Sequence, residues 1–162
     1  MLIRIQNYSI SDLENGIKFL LDRAAHSPEV RQHAVTITYD KEDKISAIYD
    51  WIKSSVSYIP DPIGTGGEET ELFISPIKQV KDYQQGLRPS GDCDDHALLS
   101  CSLFRSIGIK SNVIIIDSIG NGLDHAYSQT YSDKLGKFVS VDTTSDYPLG
   151  WELPYKEKII VD

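Results

Sequence analysis

Cys93 stands between a turn rich in Gly and Asp, "RPSGD", and a helical apolar run, "CDDHALLSCSLFRSIGI". With Asp92 as N-cap and Asp95 at the third helical position, the thiol falls in the first turn of a helix. Unpaired N–H groups and the positive end of the macrodipole favour a thiolate there. The carboxylates of Asp92, Asp94 and Asp95 oppose it, so the helix end alone does not suffice. A nucleophile at this place needs a cationic partner such as an imidazolium.

His125 and Asp142 offer that partner and a carboxylate to orient it. "HAYSQTY" and "KFVSVD" read as strands joined by the short turn "SDKLG", an antiparallel hairpin. If Tyr131 and Gly136 close a four-residue turn, His125 lies directly across from Asp142. Cross-strand neighbours share a face with Cβ atoms roughly 4.5–5.5 Å apart, whereas a one-residue slip puts them on opposite faces. Asp124 and Asp146 are the alternatives to Asp142 should the register differ. His96 could also abut the thiol and compete with His125, but nothing in the sequence orients its ring.

Two other chemistries are weighed against this one. Cys93-x-x-His96 could be half of a zinc site, but no second Cys/His pair follows at finger-like spacing, so no metal is expected. An acidic run at a helix start is ordinarily capping and solvation. "GTGG" at 64–67 lacks the Lys-Ser/Thr of a phosphate-binding loop, and no nucleotide or other cofactor is assigned. Cys101, two turns beyond Cys93 on an apolar helix, reads as a buried structural thiol. The two are roughly 12 Å apart along the axis, too far for a disulfide, which favours a reduced, intracellular setting.

The elements that must position these groups follow from the hydrophobic pattern. The chain has 162 residues, 40% apolar and 25% charged, the composition of one soluble globular domain spanning 1–162. Apolar positions predict a helix from Ser9 or Ser11 through Leu21, and another through Ile45, Ile48, Ile52, Val56 and Ile59, stopped by Pro60. "PEVRQHAVTITYD" is ambiguous between helix and extended chain. Residues 60–91 carry no sustained periodicity and read as a long loop. After the cysteine helix, "SNVIIID", the hairpin and an edge strand "KIIVD" make a small antiparallel sheet. The fold class is α+β: N-terminal helices, then a cysteine-bearing helix packed on that sheet.

A formal charge of -8, with no two Lys or Arg adjacent, excludes nucleic acid and anionic lipid as natural partners. The N-terminus lacks a signal-peptide pattern and no apolar run reaches membrane-spanning length, so a cytoplasmic protein is expected, with a virion-associated one as the alternative.

"GDCDDHALLSCSLFRSIGI", "HAYSQTY" and "KFVSVDTT", preceded by "AIYDWIKSSVSYIPDP", resemble the transglutaminase-like superfamily over roughly residues 41–144. The likeness is to bacterial and phage-type members with a papain-like core. It implies Cys93 as nucleophile, His125 as general base and then acid, and Asp142 fixing the imidazole. It further implies a thioester acyl-enzyme on a protein or peptide substrate, resolved by water or by an amine. Hydrolysis is favoured, because the chain lacks the extra β-domains of animal cross-linking enzymes. The Cys93 N–H would be one oxyanion donor, with Gln84, Gln85 or more distantly Tyr58 supplying a second. A non-catalytic structural or interaction module that keeps the fold is the competing reading.

Overall fold

The computed structural model describes residues 1–6, 8–61 and 70–162; the "GTGG" stretch lies outside the described residues. In chain order the elements are β1 (Leu2–Gln6), α1 (Ile10–Ala25), α2 (Pro28–Thr38), α3 (Lys44–Ser55), β2 (Ser57–Tyr58), β3 (Thr70–Ile74) and α4 (Pro76–Gln84). Then follow β4 (Ser90–Gly91), α5 (Cys93–Ser106), β5 (Ser111–Asp117), β6 (His125–Ser132), β7 (Lys137–Val141) and β8 (Glu157–Val161). No helix among the described residues is long and apolar enough to cross a membrane.

Capping sets most of the helix starts. Ser9 and Asp12 form a reciprocal capping box on α1. The Ser27 hydroxyl and Pro28 start α2, and the Asp43 carboxylate accepts from Ser46 N at 3.0 Å to start α3. These signals resolve the ambiguous stretch at 28–38 as helix despite its β-branched residues, because Val30 and Ala34, one turn apart, are fully buried. Helix α3 is shorter than its periodicity predicts. Val56 caps it, and the chain turns extended so that Ser57 N and Ile59 N donate to Pro89 O and Gly91 O, both at 2.9 Å.

The expected long loop at 60–91 is partly regular. β3, inside that stretch, pairs antiparallel with β1 at the N-terminus, and neither strand is expected from the hydrophobic pattern. α4 begins at Pro76 after Ser75, and the short parallel pair β2·β4 brings the chain up to Cys93. The main sheet has the order β7-β6-β5-β8, all antiparallel, with β8 at an edge as expected.

Helix α5 is the centre of the molecule. Twelve of its 14 residues are buried, which leaves it no solvent face. On one side Ala97, Leu98 and Cys101 pack with α1 (Leu13, Ile17, Leu20, Leu21), Phe73 and the sheet residues Val113, Ile115 and Ala126. On the other, Leu99, Leu103 and Phe104 meet Val30, Ala34, Ile48, Ile52 and Val80 of the flanking helices. Each fully buried Leu, Ile or Phe contributes roughly 1.5–3 kcal/mol. The helix that carries the thiol is therefore fixed from all sides. Cys101 is a buried free thiol within this packing, and Cys93 is a half-buried one at its start.

Candidate active site

The first turn of α5 is locked to the rest of the fold by Asp95. Its Oδ1 accepts from Ile74 N on β3 at 2.6 Å and its Oδ2 from Asp92 N at 3.3 Å. Gly91 is required by the same contact: a Cβ there would come within 2.4 Å of the Asp95 Cβ. The "GDC" sequence is thus a packing solution that holds Cys93 at the first position of the helix.

His125 opens β6, and Asp142 follows the last residue of β7. The His125 Nε2–H donates to Asp142 Oδ2 at 2.7 Å. Asp142 Oδ1 accepts from Thr144 N at 3.0 Å and Thr144 Oγ1 at 2.9 Å, so both carboxylate oxygens are held. With Nε2 engaged, Nδ1 is the ring nitrogen left over, and Cys93 stands close enough to raise the ring's pKa. The structure brings these three side chains together.

The route differs from the expected one. The turn lies one residue later, so Ser132 pairs Lys137 and the last ladder pair is Ser128–Val141. Gly136, with φ of 64°, belongs inside the turn and does not pair. His125 and Asp142 are consequently diagonal rather than directly opposite. The shift is an even one, so they keep one face, within reach of an imidazole. Asp124 instead accepts from Ser118 N and Oγ, and Asp146 is exposed.

Burial works against a charged His125, but the Asp142 carboxylate and then the Cys93 thiolate outweigh it, and its pKa is pushed up to about 10. Asp142 is likewise opposed by burial, yet the His125 hydrogen bond and charge hold it below the usual carboxylate range.

Beside the thiol lies a group of acids. Asp94 is buried, and neither of its carboxylate oxygens has a hydrogen-bond partner. Burial, then Asp92, pushes it well above the ordinary value. Burial pushes Asp95 up to about 8 and also raises Glu71 and Asp61. Donor atoms of Asp61, Glu71 and Asp92, and of Asp92, Cys93 and Asp94, lie within 4.8 Å of one another. The carboxylates Asp61, Glu71, Asp92 and Asp94 could hold a hard cation such as Ca²⁺. The sequence reading weighed only the acids at the helix start; Asp61 and Glu71 arrive from elsewhere in the fold.

His96 is buried, not a rival base beside the thiol: its Nδ1 shares a hydrogen bond with Thr143 Oγ1 at 3.0 Å, and burial lowers its pKa. Gln84 ends α4 and Gln85 caps it, and both are exposed. Tyr58 lies close enough to Cys93 to feel its charge. Burial, then the charge of Cys93, raises its hydroxyl pKa.

A family model for the transglutaminase-like superfamily matches residues 30–143. That span is well over half the sequence and includes Cys93, His125 and Asp142. The chain belongs to the transglutaminase-like superfamily. No curated protein matches its sequence.

Solved structures with the same transglutaminase-like fold include a candidate cysteine protease from Cytophaga hutchinsonii, at TM-score 0.56 and 22% identity, covering 88% of this chain and 49% of that one. A candidate protease from Parabacteroides distasonis gives TM-score 0.58 and 18% identity over 83% of this chain and 26% of the other. Legionella pneumophila LapG gives 0.50 and 16% over 80% and 71%. The chain thus spans about half of the first protein and a quarter of the second. At these identities the likeness establishes the fold alone.

Proposed function

We propose that the protein is a cysteine-nucleophile hydrolase that cleaves an amide, either a peptide bond or a Gln-type carboxamide. The observation that carries this reading is the His125–Asp142 hydrogen bond of 2.7 Å, with the other ring nitrogen left to Cys93.

His125 carries a proton at neutral pH, and the reactive form of Cys93 is its thiolate. The thiolate attacks the substrate carbonyl carbon, forming a C–S bond and an oxyanion that the Cys93 N–H at the helix start faces. The imidazolium gives its proton to the leaving nitrogen, the C–N bond breaks, and a thioester remains. Neutral His125 then takes a proton from water, whose oxygen attacks the thioester carbonyl. The C–S bond breaks, the acid product leaves and the protonated ring and thiolate are restored. Asp142 keeps the ring oriented and stabilises its charge throughout. Because the resting ring already carries the proton, His125 acts first as acid and only in the second half as base.

The test is to incubate the protein with a synthetic peptide library and read products by mass spectrometry. Cleaved termini or Gln converted to Glu are expected, together with an acyl adduct on Cys93 after acid quench. Both disappear in Cys93→Ala. An added primary amine that appears in the products reveals transamidation. A folded wild-type protein that yields no product and no adduct across the library would contradict the proposal and favour the non-catalytic module.

A further inference from the structure

His96 follows Cys93 by three residues on α5, and its ring is only 2% exposed. Its Nδ1 bonds Thr143 Oγ1 at 3.0 Å, on the residue next to Asp142. Nε2 is buried and lies towards the Ser57 backbone, which favours a proton on the ring, without a well-formed hydrogen bond among the described residues. A buried nitrogen without a hydrogen bond costs stability, and an apolar side chain of similar size would fill the space without that cost. What the imidazole supplies, and Leu or Phe would not, is the bond to Thr143.

That bond acts where the backbone ladder has stopped. The last β6·β7 pair is Ser128–Val141, so strand pairing does not fix Asp142. One turn further along α5, Ser100 Oγ bonds Ser128 Oγ at 2.7 Å, and the Ser128 hydroxyl in turn donates to Val141 O at 3.3 Å. Residues 141 and 143 are therefore both tied to α5, one on each side of Asp142. The Thr144 bonds brace the carboxylate only within its own segment.

We propose that His96 is a positioning residue: through Thr143 it ties the segment bearing Asp142 to the helix bearing Cys93, and so sets the placement of the His125 ring against the thiol. The inference rests on the Cys93, His125 and Asp142 reading given above.

Four variants test it: His96→Leu, Thr143→Val, their combination, and His96→Asn, whose amide occupies the place of Nδ1. The readouts are the rate of iodoacetamide labelling at Cys93, the His125 ring titration by NMR, and Tm. His96→Leu and Thr143→Val should each slow labelling about tenfold, the scale on which a small misplacement acts, and move the His125 titration downward. The combined variant should be no worse than either single one, and His96→Asn should recover most of the rate. The Tm of His96→Leu should change little, because the desolvation cost of the buried ring nitrogens goes together with their bonds.

Wild-type labelling and titration in His96→Leu and Thr143→Val would overturn the inference. So would losses that track Tm in every variant, His96→Asn included. If wild-type Cys93 labels no faster than Cys101, the underlying catalytic reading falls and takes this inference with it.

Discussion

His125 retains its proton across the neutral range because Asp142 and Cys93 flank it, although burial opposes the charge. Its pKa is about 10 in the folded protein against 6.5 for the ordinary group. The stability it contributes is therefore fully present below about pH 6.5 and is lost as pH rises towards 10. Asp142, held below 3.8, contributes stability that is present above that value and lost as pH falls beneath it. Asp142→Asn removes the first of the influences that raise His125 and leaves burial to act. The ring titration, followed by NMR, should fall by at least one pH unit, and with it the excess stability between pH 6.5 and 10. An unchanged titration would mean that the 2.7 Å contact does not govern the ring.

At the scale of elements, the start of α5 depends on the fit between Gly91 and Asp95. Gly91→Ala forces a Cβ to 2.4 Å from the Asp95 Cβ, displacing the carboxylate from Ile74 N and Asp92 N. Urea unfolding should show a loss of about 1–3 kcal/mol, with slowed labelling of Cys93. Asp94 predicts the opposite. Its folded pKa lies above 3.8, so the folded state binds the proton more tightly and stability falls as pH rises above about 4. Asp94→Asn removes the buried ionisable group and offers an amide N–H to the neighbouring Asp92 and Glu71 carboxylates. It should raise Tm at pH 8 by about 3 °C and flatten the pH dependence of Tm.

Those same elements show what sequence could and could not say. The cysteine helix, its Asp92 cap and its end near Gly108 were legible from capping and periodicity. The hairpin was legible too, and its parity survived a turn misplaced by one residue, since Gly136 prefers the turn over the strand. β1 and β3 went unread because each is only five residues long, with the partner far along the chain. α4 had signals, Ser75-Pro76 and the apolar pair Ile77 and Val80, but they fell inside a stretch judged too irregular. The gathering of Asp61 and Glu71 with Asp92 is purely tertiary, and no spacing rule reveals it.

For the whole molecule, the family match ends at residues 30 and 143, but the packing around α5 does not. Leu13, Ile17, Leu20 and Leu21 of α1 and Val161 of β8 lie in the same core cluster as Ala97, Leu98 and Cys101. Five such aliphatic side chains amount to roughly 7–15 kcal/mol of burial, comparable to the net stability of a domain. A fragment of residues 30–143 should fail to fold cooperatively, seen as a non-sigmoidal thermal melt by circular dichroism. A cooperative melt near that of the full chain would show that α1 and β8 are dispensable.

The three-group arrangement also makes the two thiols unequal. Cys101 is sealed in the core, while Cys93 is half-buried and paired with His125. The direct measurement is timed iodoacetamide labelling at neutral pH, with the labelled cysteine located by peptide mass mapping. The folded protein should label at Cys93 with Cys101 untouched, and His125→Ala should lose most of that rate while still melting cooperatively, at a lower Tm because the buried Asp142 loses its partner. Equal and slow labelling of both thiols, or a Cys93 rate indifferent to His125→Ala, would contradict the account.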